Sequence, residues 1–128
     1  SDYQPVYDEN FFLLDIIKSR QNRNKVMSEI HFTAKPYHKS TTPIKCKINM
    51  GADLNVITYE DYKEIVTNPK QRQISPPNCK ISAYGGHNIN NLGTCELYIH
   101  FNQTIKPVKF NVTDVEGLAS LGCETSRE

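Results

Sequence analysis

Apolar and polar residues alternate along much of the chain, with the period of two that is typical of β-strands with one buried face. The pattern is clearest where Ile44, Cys46 and Ile48 alternate with two lysines. Further strands are predicted at residues 26–33, 79–84, 89–92, 94–101 and 107–112, and a last apolar patch lies at 118–122. The hydrophobic pattern therefore predicts a mainly β domain.

Two segments depart from this alternation. Thr58 stands three residues before Asp61, a capping-box spacing that opens a short helix predicted over residues 59–66, which the Asn68-Pro69 pair ends. Residues 11–17 form an aromatic-rich, mostly apolar run of strand length, and we expect the first strand there. The polar residues 1–10 are predicted to be a flexible N-terminal arm, so that the folded domain spans residues 11–128.

Composition narrows the class of protein. A chain of 128 residues fits one domain, and 38% hydrophobic with 23% charged residues is typical of a globular protein. No apolar run approaches the roughly 18–20 residues that span a bilayer. The formal charge of +1 argues against a general attraction to nucleic acid or anionic lipid. The basic segment 18–25 could contact phosphate, but without an aromatic stacking series we expect a solvated hairpin turn. We therefore expect no nucleic-acid partner and no membrane association.

The cysteines and histidines do not indicate a metal site or cofactor. Cys46, Cys79, Cys95 and Cys123 are widely spaced, without a Cys-x-x-Cys pair or a histidine cluster. Isolated cysteines of this kind are usually buried thiols, so we expect a reduced, intracellular protein in the cytoplasm or nucleus. The Gly-x-Ser-x-Gly elbow and the phosphate-binding loop of other hydrolases are missing as well.

Three motifs occur in an informative order. The strand at residues 44–48 leads into Asn49-Met50-Gly51-Ala52 and a second strand; a diglycine turn at 85–86 joins two further strands; and Leu121-Gly122 follows near the end. Over about residues 11–125 this series resembles the retropepsins, the single-lobe aspartic proteases of retroviruses, in the form found in Ty3/Gypsy retrotransposons. In that family the first motif reads hydrophobic-Asp-Thr/Ser-Gly-Ala, and the diglycine hairpin corresponds to a mobile flap.

The resemblance implies a closed, mainly β fold with one short helix, two copies of which pair to build one cleft beneath two flaps. Asn49 stands where the catalytic aspartate would be, Met50 where a small hydroxyl residue would be, and Gly51 matches the pattern. The expected dimer interface comprises Phe11, Phe12, Leu14, Asn49 and Met50. The residues expected to contact a peptide, if the cleft is retained, are Asp53, Tyr84, Gly85, Gly86 and His87.

The amide at position 49 decides the expected function. An aspartic protease needs one carboxylate that accepts a proton from water and a second that holds one, and an amide does neither. We therefore expect a catalytically inactive pseudo-protease that serves as a homodimerisation or protein-interaction module, with a peptide or protein partner. The alternative is an aspartic peptidase that was inactivated by an engineered Asp-to-Asn change or is completed by a partner subunit. In the plainest interpretation, Asn49 merely caps a turn in a β domain.

Overall fold

A computed structural model describes residues 9–21, 27–49, 54–82, 88–117 and 119–122, with only the backbone at 10, 17, 19–21, 49, 82 and 88. Within these ranges, two helices, α1 (Glu9–Gln21) and α2 (Tyr59–Ile65), and a 3-10 turn (Pro69–Gln71) accompany eight strands. The strands are β1 (Met27–Thr33), β2 (Thr42–Asn49), β3 (Val56–Thr58), β4 (Ile81–Ser82), β5 (Asn88–Ile89), β6 (Asn91–Phe101), β7 (Thr104–Thr113) and β8 (Ala119–Gly122).

Six of these strands close a barrel in the order β1-β2-β8-β3-β7-β6, while β4 and β5 form a separate two-stranded sheet. Most neighbours are antiparallel, but β2 pairs with β8 and β3 with β7 in parallel. The last strand therefore lies between two strands from the first half of the described chain. The mainly β fold expected from the alternating pattern is confirmed.

The barrel interior is filled by the apolar positions of the alternating strands. Phe32, Ile99 and Val108 are fully buried, and the Phe32 ring meets Phe110 edge to face with centroids 5.6 Å apart. Such a pair contributes about 0.5–1.5 kcal/mol beyond the burial of its area.

The predicted first strand at residues 11–17 is wrong, because this segment lies within helix α1. Phe12, Leu13 and Ile16 are buried, at the i, i+1, i+4 spacing of one helix face, whereas a strand would bury alternate residues. The helix continues through Gln21, so the first part of the predicted turn at 18–25 is also helical, and residues 22–26 lie outside the described chain. A short continuous apolar run does not by itself distinguish a buried strand from a buried helix.

The second helix follows its sequence signal. Thr58 has an extended backbone, and its hydroxyl accepts a hydrogen bond from the Asp61 N–H at 3.1 Å, as an N-cap does. The helix ends with Ile65, and the Val66 N–H still bonds to the Tyr62 carbonyl at 2.8 Å. Along the described residues no helix combines the length and apolar character needed to span a bilayer.

Candidate functional site

The strand that carries Asn49 is held at its end by the last strand of the barrel. In the parallel pair, Ile48 lies opposite Leu121 and Asn49 opposite Gly122. Two of the three sequence motifs, which are far apart along the chain, therefore meet at one end of the barrel. The backbone of Asn49 belongs to β2, whereas Met50, Gly51 and Asp53 lie outside the described residues.

A buried asparagine fixes the point at which the chain returns to the barrel after this loop. The Asn55 amide oxygen accepts from the Gly122 N–H at 2.9 Å, and its amide nitrogen donates to the Lys109 carbonyl at 3.1 Å. Its backbone carbonyl accepts from the Asn111 N–H at 2.8 Å. Asn55 therefore ties the start of β3 to β7 and β8. Sequence reasoning missed this residue, although a lone amide between Leu54 and Val56 in an apolar stretch was a usable signal.

The predicted interface residues of α1 differ in their accessibility. Phe12 is 0% exposed and packs edge to face on Phe101, with ring centroids 6.2 Å apart. Leu14 is half-buried against the core, while Phe11 is 51% exposed. Of these three side chains, Phe11 presents the largest accessible fraction to a second molecule.

The predicted flap is described only at its base. Ile81 pairs with Ile89 and Ser82 with Asn88, so the two strands of the hairpin are antiparallel, as expected. The predicted peptide-contacting residues Tyr84, Gly85, Gly86 and His87 lie outside the described part of the chain.

Amide groups anchor the base of this hairpin to the barrel. The Asn91 side chain donates to the Cys79 carbonyl at 2.8 Å and lies 3.4 Å from the Asn111 amide oxygen. The Cys79 thiol points to the same oxygen at 3.8 Å. The three residues form a polar cluster that ties the base of the hairpin to β7.

Burial is the main cause of the pKa shifts of the titratable groups near the barrel. Burial raises the pKa of the Cys46 thiol to about 12, and does the same at Cys95, so both thiols stay protonated and unreactive. The pKa of Asp61 is raised by burial and by Glu64 and Glu60, against the opposing hydrogen bond from Thr58. Among the described residues no group of three or more His, Cys, Asp and Glu side chains could hold a metal ion.

Comparison with known proteins identifies the fold. No family model and no curated protein matches the chain. A solved structure, the EIAV protease complexed with the inhibitor HBY-793, matches with a TM-score of 0.54 and 17% sequence identity, covering 75% of this chain and 79% of that one. At this identity the likeness concerns the fold alone. Together with the closed barrel of six strands, it shows that the chain has a single-lobe, retropepsin-like fold.

Proposed function

We propose that this chain is a catalytically inactive retropepsin-like domain that acts as a homodimerisation and protein-interaction module. One observation carries the proposal: β2 ends at Asn49, beside Gly122 of β8, and an amide occupies the position at which the resemblance expects the catalytic aspartate. The domain would thus keep the scaffold of a protease without its chemistry.

Inactivity follows from the protonation chemistry of an amide. In a carboxylate dyad the two groups repel each other, so that one stays ionised to activate water while the other keeps a proton. Two asparagines provide neither form. Losing the general base and the general acid removes a rate factor of about 10²–10⁴ for each.

Dimerisation is supported by the incompleteness of a single lobe. Retroviral proteases act as homodimers, and this chain has the fold of one such lobe. Each copy would contribute one Asn49 loop to the two-fold axis, and exposed Phe11 would extend the contact. An obligate interface of this kind buries about 2,000 Å² or more in total.

Natural decay of a Ty3/Gypsy-type protease explains the sequence better than engineering. An Asp-to-Asn change alone is what an experimenter would introduce to inactivate a protease without changing its shape. In this chain the adjacent Met50 also replaces the expected hydroxyl residue, which such a design does not require. An intracellular location belongs to the same proposal, and the free thiols of Cys46, Cys79 and Cys95 support it.

The dimer is tested by the solution mass. Light scattering at micromolar concentration is expected to give twice the 14.6 kDa of one chain. A monomeric mass across this range would refute the homodimer.

Inactivity is tested by reversing position 49. The chain itself is expected to leave an unfolded protein substrate intact at about pH 4–6, where a carboxylate dyad would be singly protonated. Asn49→Asp is expected to restore little activity, because Met50 replaces the hydroxyl residue expected beside the catalytic carboxylate, and a positioning error of about 1 Å in a catalytic group can cost about 10²-fold in rate. Asn49→Ala is the matched control for nonspecific cleavage. Strong acid-dependent proteolysis by Asn49→Asp would instead establish a disarmed peptidase.

A further inference from the structure

The outer edge of β6 is paired at two points and open between them. Tyr98 pairs with Thr33, the last residue of β1. Thr94 exchanges two backbone hydrogen bonds with Ser75, of 2.8 and 2.9 Å. Four residue steps separate Thr94 from Tyr98, about 13 Å along the strand. Within the described ranges no residue pairs with this edge between them, and we name this opening the Glu96 gap.

The register of β6 against β7 directs the Glu96 backbone into this gap. In an antiparallel pair the backbone groups of successive residues point alternately toward and away from the neighbouring strand. Glu96 lies opposite Lys109. The backbone N–H and C=O of Lys109 both point away from β6. The N–H donates to the Glu9 carboxylate at 3.2 Å, and the C=O accepts from the Asn55 amide at 3.1 Å. Glu96 is therefore a non-hydrogen-bonded partner whose N–H and C=O face outward, in phase with Thr94.

Both ends of the gap are fixed by side chains. The Thr33 hydroxyl donates to the Lys35 carbonyl at 2.8 Å, which turns the chain away from β6 at the end of β1. On the other side, the Tyr62 hydroxyl accepts from the Gln73 N–H at 2.9 Å and lies 3.3 Å from its carbonyl oxygen. This contact holds the connector so that it meets β6 at Ser75. The gap is thus a built feature of the edge rather than a frayed end.

A cavity of about 380 Å³ lies over the gap. Its polar lining includes Lys35, Gln73, Ser75, Glu96, Tyr98 and Lys109. This volume is in the range of ligand pockets, and the amide and hydroxyl groups suit a polar backbone better than an apolar ligand. Two lysines against one glutamate favour an acidic over a basic occupant.

We propose that the Glu96 gap binds a short segment of another protein, one residue of which is extended and forms a backbone hydrogen-bonded pair with Glu96, while the chain on either side of it turns out of the plane of the sheet. The Thr33 and Ser75 pairings close both ends, so one residue pair forms in place of the longer ladder of ordinary strand addition. The segment carries an acidic residue beside the paired position, facing the lysines. This site belongs to a single chain and depends neither on dimerisation nor on inactivity.

Hydrogen exchange tests the gap itself. The Glu96 amide is expected to exchange faster than the amides of Thr94, Cys95 and Tyr98, whose N–H groups are paired. Protection of Glu96 equal to that of these neighbours would overturn the proposal.

Binding is tested with capped tripeptides, followed through the Glu96 amide signal in NMR titrations. The probe N-acetyl-Asp-Ala-Ala-N-methylamide is expected to bind more tightly than its Lys-Ala-Ala counterpart. Methylation of the nitrogen of the central alanine removes one hydrogen bond and is expected to weaken binding about 2- to 12-fold. Equal affinity of the methylated and unmethylated probes would refute backbone pairing.

Two variants separate the backbone from the side chain. Glu96→Pro removes the outward N–H without breaking a ladder bond, which an edge position tolerates. Relative to Glu96→Ala, which removes the same carboxylate, it is expected to bind the Asp-Ala-Ala probe about 2- to 12-fold more weakly. The control Glu96→Ala keeps the N–H and is expected to bind at least as well as the parent chain. Equal affinity of Glu96→Pro and Glu96→Ala would contradict the proposal, and the methylated probe tests it even if Glu96→Pro does not fold.

Discussion

At the scale of single residues, the stability of the barrel depends on a few positions that require one particular amino acid. Gly93 has φ +138°, and a Cβ there would lie 1.9 Å from the Ser75 carbonyl oxygen. The close approach of Ser75 to β6 therefore requires glycine.

Gly93→Ala is expected to destabilise the fold more than Gly117→Ala. Gly117 has a similar φ of +151°, but a Cβ added there would meet nothing within 4 Å. Both variants bear the strain of the left-handed region, on the order of 1–3 kcal/mol, and only the first adds a clash with backbone. Urea unfolding measures both. Equal losses would mean that the segment around Ser75 gives way freely.

Asn55 is the second such residue, because it answers buried backbone groups on two strands. Asn55→Ala leaves the Gly122 N–H and the Lys109 carbonyl without this partner and is expected to cost about 2–4 kcal/mol of unfolding free energy. The control Asn90→Ala removes an exposed 2.8 Å bond to Asp114 and is expected to cost less than about 0.5 kcal/mol. Similar losses of unfolding free energy for the two variants in denaturant would contradict this role of Asn55.

At the scale of elements, α1 shows where sequence reasoning stopped. The alternation in β2, β6 and β7 and the cap of α2 are local signals, so these elements could be predicted. The run at residues 11–17 contains one polar residue, Asp15, which lies off the buried face of a helix and of a strand alike, so only the packing of the run against the barrel decides between the two. The hydrogen bonds of Asn55 could not be predicted either, because its partners Lys109 and Gly122 are distant in sequence.

The helical assignment of α1 makes a specific prediction. Leu13 is 2% exposed, whereas Leu14 is half-buried. Leu13→Ala is therefore expected to cost about 2–5 kcal/mol and Leu14→Ala distinctly less. A strand centred on Phe12 would bury Leu14 and expose Leu13. Thermal or urea unfolding of the two variants measures these losses. A larger loss for Leu14→Ala than for Leu13→Ala would favour the strand over the helix.

The seam between β1 and β6 is expected to weaken in acid. His100 lies opposite His31, and burial, together with the His31 charge, lowers the pKa of His100. The unfolded chain then binds more protons than the folded one as the pH falls below about 6.5, so stability decreases toward acid.

His100→Gln tests this linkage. The His100 ring lies 2.8 Å from the Thr33 hydroxyl, and glutamine can supply an N–H to that oxygen without titrating. The melting temperature of the parent chain is expected to drop more between about pH 7.5 and pH 5 than that of His100→Gln. Parallel pH profiles would remove His100 as the cause.

At the scale of the whole molecule, the proposed dimer predicts how a restored carboxylate behaves. In Asn49→Asp two like charges would meet across an interface adapted to amides, which raises the pKa of one carboxyl in the folded dimer. A raised pKa favours folding in acid and loses this contribution as the pH rises through it. The variant is expected to be less stable than the parent at neutral pH and to recover toward about pH 4. Melting temperatures of the variant and the parent across about pH 4–8 measure this difference. Equal stability of the two at neutral pH would argue that the two position-49 loops do not face each other in the dimer.

The insertion of β8 between β2 and β3 has a consequence for synthesis on the ribosome. Both neighbours of β8 are made long before residues 119–122, so the barrel stays open while the chain grows. A chain interrupted before Ala119 would present two unsatisfied strand edges, the kind of surface on which other chains polymerise. Truncation of the chain before β8 is therefore expected to promote aggregation, and chaperone capture of such fragments is the expected response.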